Sequence, residues 1–158
     1  MAIFWITALS VFLLDRVTKL LALRHLIFGQ SVTVLDGVLE WRLTHNQGMA
    51  LGLLSGNAVA IIVLPVLVVA AGWLVMRQYR ATRYTRLAAA LIVGGFLGNL
   101  ADRIIMGYVL DMIYFPWMPW FICNLADIAI CAGVALLVIS ILFRPQDWQR
   151  KGGAVKRE

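Results

Sequence analysis

The stretch LAAALIVGGFLGNLADRII, residues 87–105, decides the fold. It carries no formal charge before Asp102, and about 20 apolar residues, at about 1.5 Å each, cross a hydrocarbon core of roughly 30 Å. Gly94, Gly95 and Gly98 let neighbouring helices approach closely. Asn99, Asp102 and Arg103 follow at i, i+3 and i+4 and share one face. Asp102 and Arg103 are adjacent and diverge by about 100° around the axis, so each is expected to reach a different partner. The face reads either as a polar plug between packed helices or as part of a site.

Three stretches of similar length flank it, at 2–23, 57–76 and 121–143. The second holds no charge, and its Pro65 is tolerable where neighbouring helices satisfy the freed backbone. The first confines Asp15, Arg16 and Lys19 to its second half; lacking a basic start and a small-residue cleavage site, it reads as a retained helix. Of the 158 residues, 62% are hydrophobic and 14% charged, against roughly 45–50% and about 25% in soluble domains. Mean hydropathy is +0.87. A water-soluble domain this small could not bury so much apolar surface, and disorder fails on the same composition. The expectation is an all-α integral membrane protein, one membrane domain over 1–158 with four transmembrane helices.

The formal net charge of +6 is unevenly spread. The connection between the second and third spans carries Arg77, Arg80, Arg83 and Arg86 without an acid. The tail after Phe143 carries Arg144, Arg150, Lys151, Lys156 and Arg157 against Asp147 and Glu158. Segment 24–56 has only Arg24 and Arg42, and segment 107–120 has no cation. Basic residues gather on the cytoplasmic side, so both termini are expected there and the two other segments outside. That use of charge leaves no need for a nucleic-acid partner.

Segment 24–56 alternates apolar and polar residues at Val32-Thr33-Val34 and Leu39-Glu40-Trp41-Arg42-Leu43-Thr44, around a turn at Asp36-Gly37. This predicts a hairpin or small β-sheet at the membrane surface. Segment 107–120 carries Tyr108, Tyr114, Phe115, Trp117 and Trp120, an interfacial belt. It is expected to form a flap-like extracytoplasmic loop hinged at Gly107.

Ionisable groups at membrane depth are costly and call for a role. Asp15 and Lys19 stand four apart in the favourable order for a helical ion pair, read as structural or as a polar gasket beside a site. Asp111 is expected in the outer loop, and Asp127 one to two turns inside the fourth span with Asn124 one turn before it. Topology brings both carboxylates to the same side and depth. Two such groups in a poorly solvated site share a proton, one serving as base on water and the other polarising a carbonyl. Spacing alone also leaves open a cation pathway or a structural pair. Ser10, Ser31, Ser55 and Ser140 lie in no nucleophile motif, and only a Ser–Lys pairing of Ser31 or Ser55 with Lys19 would serve. His25 and His45 lack ligand spacing, so neither a metal nor a cofactor is expected. Cys123 and Cys131 read as small buried hydrophobes.

Five stretches in this order now carry a resemblance: Asp15-x-x-Thr18-Lys19, Asn46-Gln47-Gly48-Met49-Ala50, the run Gly94 to Arg103, Val109-Leu110-Asp111-Met112-Ile113, and Asn124-Leu125-Ala126-Asp127. With four spans, the chain resembles the bacterial lipoprotein signal peptidases, or type II signal peptidases. The resemblance implies an aspartyl endopeptidase of the bacterial inner membrane that cleaves diacylglyceryl-modified prolipoproteins just before the lipidated cysteine. It places the catalytic pair on Asp111 and Asp127, and puts Asn46, Gly48, Asn99, Arg103 and Asn124 around the site. Asp15, Lys19 and Asp102 fall at structural polar positions. It also implies membrane lipid as a partner and inhibition by globomycin-type cyclic peptides. Met49-Ala50-Leu51 departs from the family's usual Ala-Ala-Phe. The rival class is a small proton- or cation-coupled transporter using Asp102, Asp111 and Asp127, which would more often show repeated halves and broken helices.

Overall fold

The computed structural model describes residues 1–48 and 58–151. Met49-Ala50-Leu51, Ser55, the expected span start at Asn57, and Lys156, Arg157 and Glu158 lie outside the described residues. Among the described residues there are four helices: α1 (Ala2–His25), α2 (Ala58–Met76), α3 (Arg83–Met106) and α4 (Leu125–Phe143). A four-stranded antiparallel sheet runs in the order β1 (Ser31–Leu35), β2 (Leu39–Asn46), β3 (Val109–Tyr114), β4 (Ile122–Cys123). A 3-10 turn at Pro145–Trp148 follows α4.

The glycines of the decisive stretch do what small residues do between helices. A Cβ on Gly94 would lie 2.6 Å from the Ala8 carbonyl oxygen of α1, and one on Gly133 would lie 2.6 Å from the Ala88 carbonyl oxygen of α3. Gly95 meets the Ala126 carbonyl oxygen of α4 in the same way, and a Cβ on Gly98 would lie 2.5 Å from the Asp15 carboxylate of α1 and 3.3 Å from the Ala126 Cβ. Thus α3 is the central helix, gripped by α1 on one side and α4 on the other. It starts at a capping box in which Thr82 and Thr85 each accept the other's backbone N–H, at 3.2 and 3.1 Å. It stops at Gly107, whose φ of +81° favours glycine.

α3 and α4 are long and apolar enough to cross a bilayer, while the apolar part of α2, Ile61–Met76, is shorter. Trp5, Leu9, Leu67 and Phe143 are among many large apolar side chains left exposed along the helices, the surface that lipid rather than water suits.

The expected hairpin is present: Val32 pairs with Trp41 and Thr33 with Glu40, around Gly37 at φ +66°. Segment 107–120 is not loop throughout, which corrects that part of the expectation. Its residues 109–114 form β3, bonded on one edge to β2 (Thr44 opposite Asp111) and on the other to β4 (Ile113 opposite Cys123). Val109, Leu110, Asp111 and Met112 are all buried, and a strand covered on both faces reads as a continuous apolar run, without alternation. Pairing of Ile122 and Cys123 with β3 also delays α4 to Leu125, four residues beyond the expected span start. Leu43, Leu110 and Met112 pack with Ala22 of α1, seating the sheet on that end of the bundle.

Candidate active site

The sheet and the helices meet where β3 and α4 carry Asp111 and Asp127. Asp111 is a strand residue, 1% exposed, and Asp127 sits in the first turn of α4, nearer the helix end than expected. The reason is Asn124, which caps α4: its Oδ1 accepts from the Asp127 N–H at 2.9 Å, and Asp127 Oδ2 accepts from the Asn124 N–H at 3.3 Å.

Three asparagines serve the two carboxylates by one rule: the side-chain oxygen is occupied by a donor, so the amide nitrogen is left to face an acid. Asn46 accepts from the Gly48 N–H at 3.1 Å and donates to Asp111 Oδ2 at 2.9 Å. That two-residue turn gives physical content to the Asn46-x-Gly48 spacing. Asn124 donates to Asp111 Oδ1 at 2.6 Å, with Asn99 Oδ1 at 3.0 Å and the Leu110 carbonyl at 3.3 Å as further acceptors. Asn99 accepts from Lys19 Nζ at 3.2 Å and donates to Asp127 Oδ1 at 2.7 Å. Asp111 and Asp127 are therefore linked through Asn124 and Asn99.

Burial pushes the Asp111 carboxyl up to about 7, aided by the charge of Asp127 and opposed by the amides of Asn46 and Asn124. Arg103 is half-buried beside the pair; its Nη1 donates to the Asn99 carbonyl at 3.3 Å and its buried Nε meets no partner among the described residues.

Behind the asparagines lies a charged brace. Lys19 Nζ lies 2.9 Å from Asp15 Oδ2 and 2.7 Å from Asp102 Oδ2. Arg16 Nη2 lies 2.9 Å from Asp15 and 2.7 Å from Asp102 Oδ1. Asp15 Oδ1 accepts from the Ala126 N–H at 3.1 Å, and Asp102 Oδ2 from the Leu110 N–H at 3.1 Å. Each of these acids thus holds the residue immediately before one member of the pair. As expected, Asp102 and Arg103 go to different partners. Sequence reasoning missed Arg16, whose only signal was adjacency to Asp15.

Among the described residues the rival chemistries find no geometry. Lys19 is engaged by Asp15, Asp102 and Asn99, while Ser31 Oγ accepts from Arg42 Nε at 2.7 Å. His45 lies between Phe28 and Tyr108, with ring centroids 4.0 Å away on each side and the planes tilted by 58° and 38°. Burial pushes the Cys123 thiol up to about 12, far from a thiolate. Cys131 is exposed on the surface of α4, a correction to the expectation that both cysteines are buried. No group of side chains suited to holding a metal occurs among the described residues.

A helical bundle with paired, asparagine-linked carboxylates at its junction with a small sheet has the make-up of a membrane enzyme. Two solved structures described as bacterial membrane enzymes share the fold, with TM-scores of 0.83 and 0.80 at 26% identity, covering 99% and 91% of this chain and 96% and 95% of theirs. The chain belongs to the signal peptidase (SPase) II family, whose model matches residues 7–143. Its relatives include the lipoprotein signal peptidase of Halalkalibacterium halodurans, 36% identical over 89% of this chain and 92% of that protein. That of Halothermothrix orenii is 34% identical over 93% and 96%. The family makes the protein a peptidase; nothing in these similarities favours a transporter.

Proposed function

We propose that this protein is an aspartic endopeptidase that removes the signal peptide from diacylglyceryl-modified prolipoproteins, cutting just before the lipidated cysteine. The observation that carries the reading is the link Asp111–Asn124–Asn99–Asp127, with distances of 2.6, 3.0 and 2.7 Å. Asp111, held up at about 7, suits the member that starts protonated. Asp127 faces Asn99 Nδ2, the Asn124 N–H and the positive end of α4, which suits the member that starts ionised. Asp127 takes a proton from water as the hydroxide attacks the scissile carbonyl, and Asp111 gives its proton to the carbonyl oxygen. Collapse of the tetrahedral intermediate breaks the C–N bond: Asp127 passes its proton to the departing amine, and Asp111 recovers its own as the new carboxyl forms.

Asn46, Gly48, Asn99 and Asn124 hold this geometry, Arg103 is a half-buried cation beside it, and Asp15, Lys19 and Asp102 brace it. Four helices crossing the inner membrane as a single domain, with both termini and the Arg77–Arg86 connection in the cytoplasm, would put the pair at the outer interface, where such a substrate presents its bond. The exposed Val32, Val34, Trp117 and Trp120 suit that level. Globomycin-type peptides would compete there for the same groups.

The deciding experiment is cleavage of a purified diacylglyceryl-modified prolipoprotein by Asp111→Asn and Asp127→Asn. Each should lose on the order of 10²–10⁴ in rate while keeping a cooperative thermal transition. Substantial cleavage by either folded variant removes the aspartic mechanism.

A further inference from the structure

At the end of α3 and α4 away from the carboxylates, two basic segments that are distant in sequence become one surface. The Arg80 N–H donates to the Gln149 carbonyl at 2.8 Å and the Lys151 N–H to the Gln78 carbonyl at 2.9 Å. Tyr79 packs edge-on against Trp148, with centroids 5.2 Å apart. The strap is anchored by buried Asp147, which accepts from Ser140 Oγ at 2.9 Å and Arg144 Nε at 2.7 Å. Asp147 is thereby used up within the protein. Arg77, Arg80, Arg83, Arg86, Arg150 and Lys151 remain, and none of the six forms an ion pair among the described residues, whereas Arg16, Lys19, Arg42 and Arg144 all do. All but half-buried Arg86 are exposed. Trp73 lies beside Arg77, 5.2 Å from its guanidinium to the ring centroid, and with Tyr79 and Trp148 marks an aromatic level at this end. The buried Nε atoms of Arg86 and Trp148, both donors, have no acceptor among the described residues.

We propose that this strapped collar binds the phosphodiester headgroups of anionic phospholipids in the cytoplasmic leaflet. The collar offers donors and positive charge at an aromatic level, and an anionic leaflet offers acceptors and negative charge at the matching depth. The backbone bonds between 78–80 and 149–151 hold both segments in one headgroup plane, so the cations act together. The proposal rests on the membrane-spanning reading above, but not on the carboxylate chemistry.

The test reconstitutes the full chain in vesicles of equal parts phosphatidylglycerol and phosphatidylcholine. The fraction of each lipid immobilised at the protein is measured with nitroxide-labelled versions of the two. A single cation at the surface favours an anionic lipid by roughly fivefold, so phosphatidylglycerol should be preferred by at least about that factor at low salt, with the preference shrinking as salt rises. A chain carrying Arg80→Gln, Arg83→Gln and Arg150→Gln should lose most of the preference, and Arg42→Gln, at the other end, should keep it. Each single variant is measured as well, so a misinserted triple variant does not decide the result. Inorganic phosphate at matched ionic strength should leave the preference unchanged. Equal immobilisation of the two lipids, a preference untouched by the collar variants, or displacement by phosphate overturns the proposal. Prolipoprotein cleavage is followed in the same vesicles, so a wild-type chain that cleaves but shows no lipid preference counts against the collar alone.

Discussion

Asn124 and Asp127 cap each other at the start of α4: the asparagine side chain takes the Asp127 N–H at 2.9 Å, and the aspartate side chain takes the Asn124 N–H at 3.3 Å. A helix N-terminus needs such acceptors for its unpaired N–H groups. Here the helix cap also carries one carboxylate of the pair and, through the 2.6 Å bond from Asn124 Nδ2, orients the other. The side chains that cap α4 are thus the same ones that build the site.

The two duties of Asn124 can be separated. Asn124→Ser retains a capping oxygen but loses the amide that bridges to Asp111, so its unfolding midpoint should stay near wild type while cleavage falls by at least about tenfold. Asn124→Ala loses both, and its stability should drop by a further ~1 kcal/mol or so. Equal cleavage by Asn124→Ser and the wild type would remove the bridge from the mechanism.

The buried Asp111 carboxyl sets a pH dependence with a definite sign. Its folded value of about 7 lies above the ordinary 3.8, so the folded protein holds the proton more tightly than the unfolded chain. The resulting stability is present in full below the ordinary value and is lost as pH rises through about 7. Asp111→Asn removes this loss. Its unfolding midpoint should exceed that of the wild type above neutrality, by the equivalent of a few kcal/mol, and converge with it in acid. Cleavage by the wild type should fall over the same alkaline limb, as the proton donor ionises.

Much of this was legible in the sequence. The helices follow from apolar length, the hairpin from alternation around Asp36-Gly37, and the close helix contacts from Gly94, Gly95 and Gly98. β3 was not legible, because Val109, Leu110 and Met112 are buried on both faces and leave no period of two to detect. The two-residue strand β4 is too short to signal itself, which displaced the start of α4 and set Asp127 too deep. The brace escaped for a different reason: Asp15 reaches the Ala126 N–H across 111 positions, and a backbone donor leaves no mark on a side-chain pattern. The Ser140–Asp147–Arg144 anchor escaped likewise, since Asp147 looks like an ordinary tail acid.

The helix contacts make a matched pair of substitutions. A Cβ at Gly94 would meet the Ala8 carbonyl oxygen at 2.6 Å, and backbone cannot swing aside as a side chain can. Gly94→Ala should cost ~1–3 kcal/mol as α1 is forced off α3. A Cβ at Gly72 meets nothing within 4 Å, so Gly72→Ala should be neutral or slightly stabilising. Thermal midpoints in one detergent decide it; equal effects at the two positions would contradict the packing.

Lys19 joins both halves of the brace. Asp102 holds the Leu110 N–H just before Asp111, and Asp15 holds the Ala126 N–H just before Asp127; Lys19 Nζ lies between them, 2.7 and 2.9 Å from the two acids. Without it, Asp15 and Asp102 repel each other with only Arg16 to hold them, and a buried pair broken in this way costs about 3–5 kcal/mol. A loss of stability would follow from any structural role, so the discriminating readout is the pH profile. The Lys19 charge lowers the Asp111 carboxyl, against burial and Asp127. In Lys19→Met that restraint is gone, and the alkaline limb of cleavage should move to higher pH as the rate falls. Lys19→Arg keeps the charge and should hold the limb where it is, even if its larger head strains the packing. A limb unmoved in Lys19→Met would mean that the lysine supports the helices without reaching the carboxylates.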